Sequence, residues 1–341
     1  NDYELLTFFT KEIKKYVKKN NGFYIKIDPY VAYKQRDIDG ILIKGGFNNQ
    51  PIIDNLTKLN YKHYGFTLYQ DKTEQVRWMF VLNLENKTEE QILKEMKQST
   101  RTRINKTLKY NYRIKELGEN DLEHFHEILK STGERRNFGL QSLKYFKDFY
   151  NIYSKNNMVK FLLIQIDLDE YLKILNSNIE EDNKKKEYLH DKLKNNDSKN
   201  TKMEINNVEK DIEDLKQKIE EAEKFKKEYG NILDLSTAMF ITYGDEIIYL
   251  SSGSYEEFMT LNGQYLTQWE MIKYGIKNNF KRYNFYGISG NFDTKDSQYG
   301  IYNFKRGFNG YVVELIGEFD LPVTYHYYIY SLLKKLKNII K

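Results

Sequence analysis

The sequence contains no cysteine. That excludes disulfides, a thiolate nucleophile and a Cys-ligated zinc, and it fits a reducing compartment. Histidine is scarce, with five in 341 residues. No close His/Asp/Glu cluster accompanies them, so no metal site is expected. Nowhere do about 18 apolar residues run together, so no membrane span is expected. A signal peptide is not expected either, because the N-terminal NDYELLTFF has acidic residues and no basic start. The chain does not begin with Met, and residues ahead of Asn1 are expected to be missing.

What is present is charge and tyrosine. Lys and Arg total 54 against 49 Asp and Glu, for a net charge of +5. That implies modest attraction to anionic partners rather than a dedicated nucleic-acid binder. The 30 tyrosines suit wet clefts and interfaces, although a bias towards Lys, Asn, Ile and Tyr accounts for part of the number. The length allows one large domain or two ordinary ones.

Apolar spacing at Leu5, Leu6, Phe9, Ile13, Tyr16 and Val17 predicts a helix over 3–18. FYIKI at 23–27 reads as a strand ended by Asp28-Pro29. Residues 35–49 read as a Gly-rich loop and 52–59 as a short helix. Segments 66–69 and 76–84 read as a β-pair, and a helix starts at Thr88 with Glu89 and Glu90 in its first turn. If that helix continues, Thr102, Lys106, Lys109 and Arg113 form one basic face able to hold phosphates. The alternative is an ordinary solvated face. Further strands are expected at 113–117, 159–166, 238–242, 246–250 and 311–316. Helices are expected at 122–131, 143–153, 261–278 and 326–340. Alternating helices and strands predict an α/β or α+β fold.

Between 167 and 229 the aromatics nearly vanish. Leu168, Leu172, Leu175, Ile179, Leu189 and Leu193 keep a 4-3 register with two polar positions skipped. After the turn-like 195–200 come Ile205, Val208, Ile212, Leu215, Ile219 and Ala222 at gaps of three and four. Such heptads on both sides of a polar turn predict an antiparallel coiled-coil hairpin inserted into one globular unit. Arms of about 27 residues would project roughly 40 Å. Residues 180–228 hold 13 Lys/Arg and 15 Asp/Glu, a net of −2, so bulk charge does not mark the hairpin as an RNA arm. A spacer role is the alternative.

The stretch 284–308 (NFYGISGNFDTKDSQYGIYNFKRGF) carries the densest candidate chemistry. It reads as an aromatic strand, a Gly/Asp/Ser loop and a second strand over 301–304 that ends on Lys305 and Arg306. Such a loop can hold a charge at the floor of a cleft. It can equally be a surface hairpin with a solvated Lys-Arg tip.

YNFYGISG at 283–290, YGIYNFKRGF at 299–308 and IGEFDLP at 316–322 resemble the C-terminal signature of the Fem family of bacterial aminoacyltransferases. YIKIDPY at 24–30, YGFT at 64–67, VRW at 76–78, LNLENKT at 82–88, RINK at 103–106, TGER at 132–135, IDLDEY at 166–171 and QWEMI at 268–272 extend the resemblance over nearly the whole chain. The family builds the peptidoglycan interpeptide bridge, and the similarity points to the branch that extends a glycine bridge. The resemblance implies two N-acetyltransferase-like subdomains with a helical arm. It places the first at 1–65 with its N-terminal part missing, the second at 66–166 and 231–341, and the arm at 167–230. Family chains carry further strands and an Arg-Gly-Pro segment ahead of the Asn1 helix.

The implied reaction is direct aminolysis. A bridge amine attacks the ester of glycyl- or seryl-tRNA, and the aminoacyl-tRNA is a co-substrate with no other cofactor and no metal. Lys305 matches the lysine of the family Phe-Lys motif and would meet the developing oxyanion or the tRNA terminus, with Phe304 shaping the pocket. Lys106 and Tyr249 match the bridge-substrate site. Arg77, Trp78, Phe66 and Tyr265 are weaker correspondences, equally at home in the core. No general base is assigned; Asp293, Asp296 and Asp320 lie nearby in sequence. The implied partners are charged tRNA and a lipid-linked muropeptide. The implied location is the cytoplasm, peripheral to the inner face of the plasma membrane, and cell-shape and antibiotic-resistance roles follow from the family. Self-association, or association with related family members, stays open. An acetyl-CoA-dependent N-acetyltransferase and a non-enzymatic coiled-coil adaptor are the alternatives, although the usual acetyl-CoA loop spacing is absent around Arg306.

Overall fold

The computed structural model describes residues 2–69, 75–136, 139–195 and 198–340. The chain opens with α1 (Tyr3–Lys19), β1 (Tyr24–Ile27), β2 (Ala32–Gln35), α2 (Gln50–Lys58), β3 (Lys62–His63) and β4 (Trp78–Asn83). Then follow α3 (Glu89–Glu95), α4 (Gln98–Leu108), β5 (Arg113–Glu116), α5 (Leu122–Arg136), α6 (Leu143–Tyr153) and β6 (Val159–Asp167). Two long helices, α7 (Leu168–Asn195) and α8 (Lys199–Tyr229), precede β7 (Ile232–Tyr243), β8 (Glu246–Ser254) and α9 (Gly263–Lys277). The last elements are β9 (Arg282–Gly287), α10 (Tyr299–Arg306), β10 (Tyr311–Leu315), β11 (Phe319–Pro322) and α11 (His326–Ile340). The mixed α/β class expected from the alternation is what is observed.

The chain divides into two compact units, one of residues 1–85, 95–97 and 282–341, the other of 86–94 and 98–281. The cut differs from the boundaries read along the sequence. Residues 282–341 join the N-terminal segment because β10 pairs antiparallel with β2 and β4, and β11 with β1 and β3. In the first unit the order β2-β10-β4-β9 forms one run of strands, and β1-β11-β3 forms a separate small sheet. Tyr33, Ile53, Leu56, Ile316, Phe319 and Leu321 make a core there, with Leu6 and Ile13 of α1 against it. Asp2 caps α1 by accepting from the Leu5 N–H at 3.0 Å.

In the second unit the strands run β8-β7-β6-β5. Leu117, Phe125, Phe146, Phe161 and Met239 pack α5 and α6 onto this sheet. β6 and β7 pair along their whole length, down to Asp167 opposite Ile232. The helical hairpin therefore stands where a β-turn would otherwise join two strands. Its base is latched by Leu168 N donating to Asn231 O at 2.9 Å and Asn231 Nδ2 donating to Asp167 Oδ1 at 3.0 Å. All twelve apolar positions of the predicted seam lie in two clusters. Leu168, Leu172, Leu175, Ile179, Leu215, Ile219 and Ala222 continue into the unit core. Leu189, Leu193, Ile205, Val208 and Ile212 form a separate distal cluster. The skipped register positions fall between them, where Lys186 Nζ meets Glu209 at 2.7 Å. The predicted turn at 195–200 lies partly outside the described residues.

Three sequence expectations are corrected. The run 301–304 is not a strand but the middle of α10; its β-favouring Ile, Tyr and Phe are overruled by packing, since Tyr302 and Lys305, three residues apart, share the inward helix face. Segment 66–69 forms no strand; the Thr67 carbonyl instead accepts from Arg77 Nη1 at 3.0 Å and Trp78 Nε1 at 2.9 Å. The basic stripe does not exist as one face, because α4 ends at Leu108. Arg113 lies on β5 and its guanidinium pairs with Asp167 at 2.5 Å. β2 and β11 were not foreseen; each is four residues long, too short for its alternation to stand out.

Candidate functional site

The first unit gathers its unusual chemistry where β9 ends. The buried Asn284 donates to the Tyr30 hydroxyl at 3.1 Å and accepts from the Tyr286 N–H at 2.7 Å. Tyr286 stands at φ +62°, a conformation costly for a bulky side chain. Opposite it the β4–β9 register slips between Met79 and Val81. The carbonyl of the next residue, Gly287, is thereby free to accept from a side chain.

That side chain is Lys305. Its residue is only 6% exposed, and Nζ donates to Gly287 O at 2.6 Å. Among the described residues no carboxylate lies within ion-pair distance of it. Burial pushes its pKa down to about 7. The solvated-tip alternative is therefore ruled out. Phe304, half-buried on the same helix, turns its ring edge-on to Phe308 with centroids 5.5 Å apart. Arg306 reaches Asp39 at 2.5 Å.

Trp78 and Arg77 lie beside this corner. Ile288 N donates to Trp78 O at 2.9 Å, and the Trp78 ring packs under Gly290, where an added Cβ would come within 2.4 Å of it. Arg36 sits over the Trp78 ring at 4.7 Å. Arg77 is buried; it pairs with Glu314, which Arg36 also holds at 2.6 Å. Among the described residues its Nε has no hydrogen-bond partner, and desolvation lowers its pKa. Phe66 covers Arg77 at 4.7 Å and stacks on Tyr33 at 4.8 Å. An open recess beside Arg77 is lined by Asp28, Tyr64, Thr67, Gln75 and Glu318. Desolvation, followed by the charge of Glu318, raises the Asp28 pKa, while the Lys26 ammonium, paired with Glu318, acts the other way.

Lys106, Tyr249 and Tyr265 belong to the second unit. Helix α9 ties them into one framework. Its Tyr265 hydroxyl accepts from Arg103 Nη1 at 2.9 Å, under a cation–π contact of 5.0 Å. Lys106, three residues after Arg103 on α4, is exposed. Gln268, three residues after Tyr265, lies fully buried beside Tyr249 of β8, whose hydroxyl donates to Ser252 Oγ. Burial pushes the Tyr249 hydroxyl up, so it remains a neutral donor at physiological pH. Arg103 and Lys106, two cations three residues apart on α4, suit a carboxylate or a carbonyl-rich peptide.

The profile of the FemAB family matches residues 1–335. This chain belongs to the FemAB family. Aminoacyltransferase FemA of Staphylococcus epidermidis is 35% identical over 342 residues, 99% of this chain and 81% of that protein. Aminoacyltransferase FemA of Staphylococcus aureus is 33% identical over 339 residues, 99% and 80% of the two chains. Among solved structures, FemX superposes with a TM-score of 0.73 at 25% identity, covering 97% of this chain and 80% of that one. Membership makes the chain an enzyme of an acyltransferase family. Among the described residues, no helix is long and apolar enough to cross a membrane.

Sequence reasoning did not single out Asn284, Tyr286 and Asp28 for this candidate site. For Asn284 the signal was available: an amide between Tyr283 and Phe285 in a buried strand needs a partner. The positive φ of Tyr286 had no such signal, because aromatic residues do not advertise left-handed backbone.

Proposed function

We propose that this FemAB enzyme transfers glycine or serine from an aminoacyl-tRNA to the bridge amine of a lipid-linked peptidoglycan precursor. The neutral amine attacks the ester carbonyl and a C–N bond forms. The carbonyl oxygen becomes anionic, the C–O bond to the tRNA ribose breaks, and the amine's proton leaves to the ribose oxygen or to water. No metal and no cofactor beyond the aminoacyl-tRNA is needed, because positioning and charge stabilisation supply the rate.

The observation that carries this reading is the burial of Lys305 with no carboxylate among the described residues in ion-pair range. An ammonium kept in a dry place and tuned to about 7 is poorly satisfied until an anion arrives. The oxyanion is such a partner, and its arrival raises the lysine pKa and holds the proton on. Phe304 borders the same corner. Lys106 and Tyr249 grip the peptide acceptor, with Tyr265 and Arg103 positioning α4. Arg77, Trp78 and Phe66 brace the strand that leads into the corner. Charged tRNA and the lipid-linked muropeptide are the partners, at the cytoplasmic face of the membrane.

Transfer of labelled glycine and serine from charged tRNA to muropeptides with bridges of different length tests the proposal. Lys305→Met is expected to lower kcat by about 100-fold or more while KM for the muropeptide stays within a few-fold, as for loss of an oxyanion donor. Unchanged kcat would remove Lys305 from the chemistry.

A further inference from the structure

The excursion between β2 and α2 exposes Ile41, Leu42, Ile43 and Phe47 at 64, 49, 43 and 47%. A tip of this kind is usually polar, and consecutive aliphatic side chains facing water mark an interaction surface. The loop is firmly built. Asp37 Oδ1 accepts the N–H groups of Asp39 and Ile41, each at 2.9 Å. Arg36 and Leu42 form an antiparallel bridge, and Ile43 N donates to Gln35 O at 3.0 Å. Gly40 takes φ +75° where a Cβ would come within 2.3 Å of the Phe292 ring, so no other residue fits there. The loop is also tied to α10, by Tyr302 Oη donating to Ile38 O at 2.8 Å and by the Arg306–Asp39 pair.

Charge on the loop is sorted. Its two carboxylates are turned to internal tasks, Asp37 capping backbone N–H groups and Asp39 pairing with Arg306. The outward charge is Lys44, exposed beside the aliphatic tip, with the half-buried Lys34 at the base. Aliphatic side chains flanked by lysine, with the Asp39 charge offset by Arg306, match an anionic lipid surface. The aliphatic groups enter the headgroup–acyl boundary while the ammonium stays among the phosphates.

We propose that the loop around Ile41–Lys44 docks this enzyme on an anionic bilayer surface. The partner deepens the reading above, in which the acceptor is lipid-linked, and it sets the helix bearing Lys305 at a bilayer through Tyr302 and Arg306.

The test is co-sedimentation of the full chain with vesicles of phosphatidylglycerol and phosphatidylcholine, and with phosphatidylcholine alone. It is paired with transfer to a lipid-linked muropeptide in the same vesicles and to a water-soluble muropeptide. Replacing Ile41→Ser, Leu42→Ser and Ile43→Ser together is expected to weaken binding to the anionic vesicles by at least about tenfold. Lipid-linked transfer should fall in step, with soluble transfer unchanged. Lys44→Glu should weaken binding to anionic vesicles by about tenfold and leave neutral ones unaffected. Vesicle binding by the triple variant equal to that of the parent overturns the proposal. So does a triple variant that loses a dimer while keeping vesicle binding, which would assign the tip to a second copy. A parent that binds vesicles but transfers to neither acceptor refutes the transfer reading and leaves the docking supported.

Discussion

At the scale of single residues, Lys305 has exchanged water for one carbonyl oxygen, and the fold bears the cost. Its folded-state pKa of about 7 lies below its unfolded value of 10.5. The unfolded chain therefore holds more protons between those values. The penalty is complete below about pH 7 and fades as pH rises towards about 10.5. Lys305→Met is expected to stabilise the protein by roughly 2–4 kcal/mol at pH 7, and by almost nothing above about pH 10.5. Urea midpoints measured across that range check both the size and the sign. The same group should give kcat a falling limb near or above pH 7, missing from the residual activity of Lys305→Met. Arg77 makes the opposite case. Removing it leaves Glu314 buried with Arg36 alone, so Arg77→Met is expected to cost roughly 3 kcal/mol, read from urea unfolding. Adding Glu314→Gln should recover part of that loss.

At the scale of elements, the helical hairpin and β9 behave differently. The hairpin was readable because its stability is local. Each seam residue meets a partner set by heptad spacing, and the half-buried Asp182 and Lys186 mark the gap between its two clusters. Among the described residues the distal cluster shares no member with the unit core, so it should open by itself. Ile205→Ala is expected to destabilise the distal cluster by about 2 kcal/mol. Hydrogen exchange should quicken over 186–212 while the main melting transition stays in place. A uniform loss of protection would show instead that the hairpin and the unit unfold together. β9 was readable as a strand, but its register slip and the left-handed Tyr286 were not. They accompany the contact of Gly287 O with Lys305 of α10, more than ten residues downstream, which no pattern within the strand encodes.

At the scale of the whole molecule, each unit is built from segments remote in sequence, which is why boundaries drawn along the chain and by contacts differ. The hairpin is an exception, closed at its base by the Asp167–Ile232 pairing and the Asn231 latch. Replacing only the distal part, 183–212, with a short Gly-rich linker is therefore expected to leave the main melting transition within about 5 °C of the parent, because Leu215, Ile219 and Ala222 stay in the unit core. It should also leave binding of a soluble muropeptide intact. Aggregation or a lost transition, followed by circular dichroism, would mean the arm is needed for folding.

Periodicity and composition alone determined the α/β class, the arm with its twelve seam residues and the absence of any thiol chemistry, because those depend on near neighbours and on which atoms exist. Family motifs pointed to Lys305, yet they gave it a place at the end of a strand. Only the tertiary structure decided that this lysine sits on a helix, out of water and with no carboxylate among the described residues in ion-pair range. Burial and ion pairing depend on what distant segments bring to a side chain, and no local pattern encodes that.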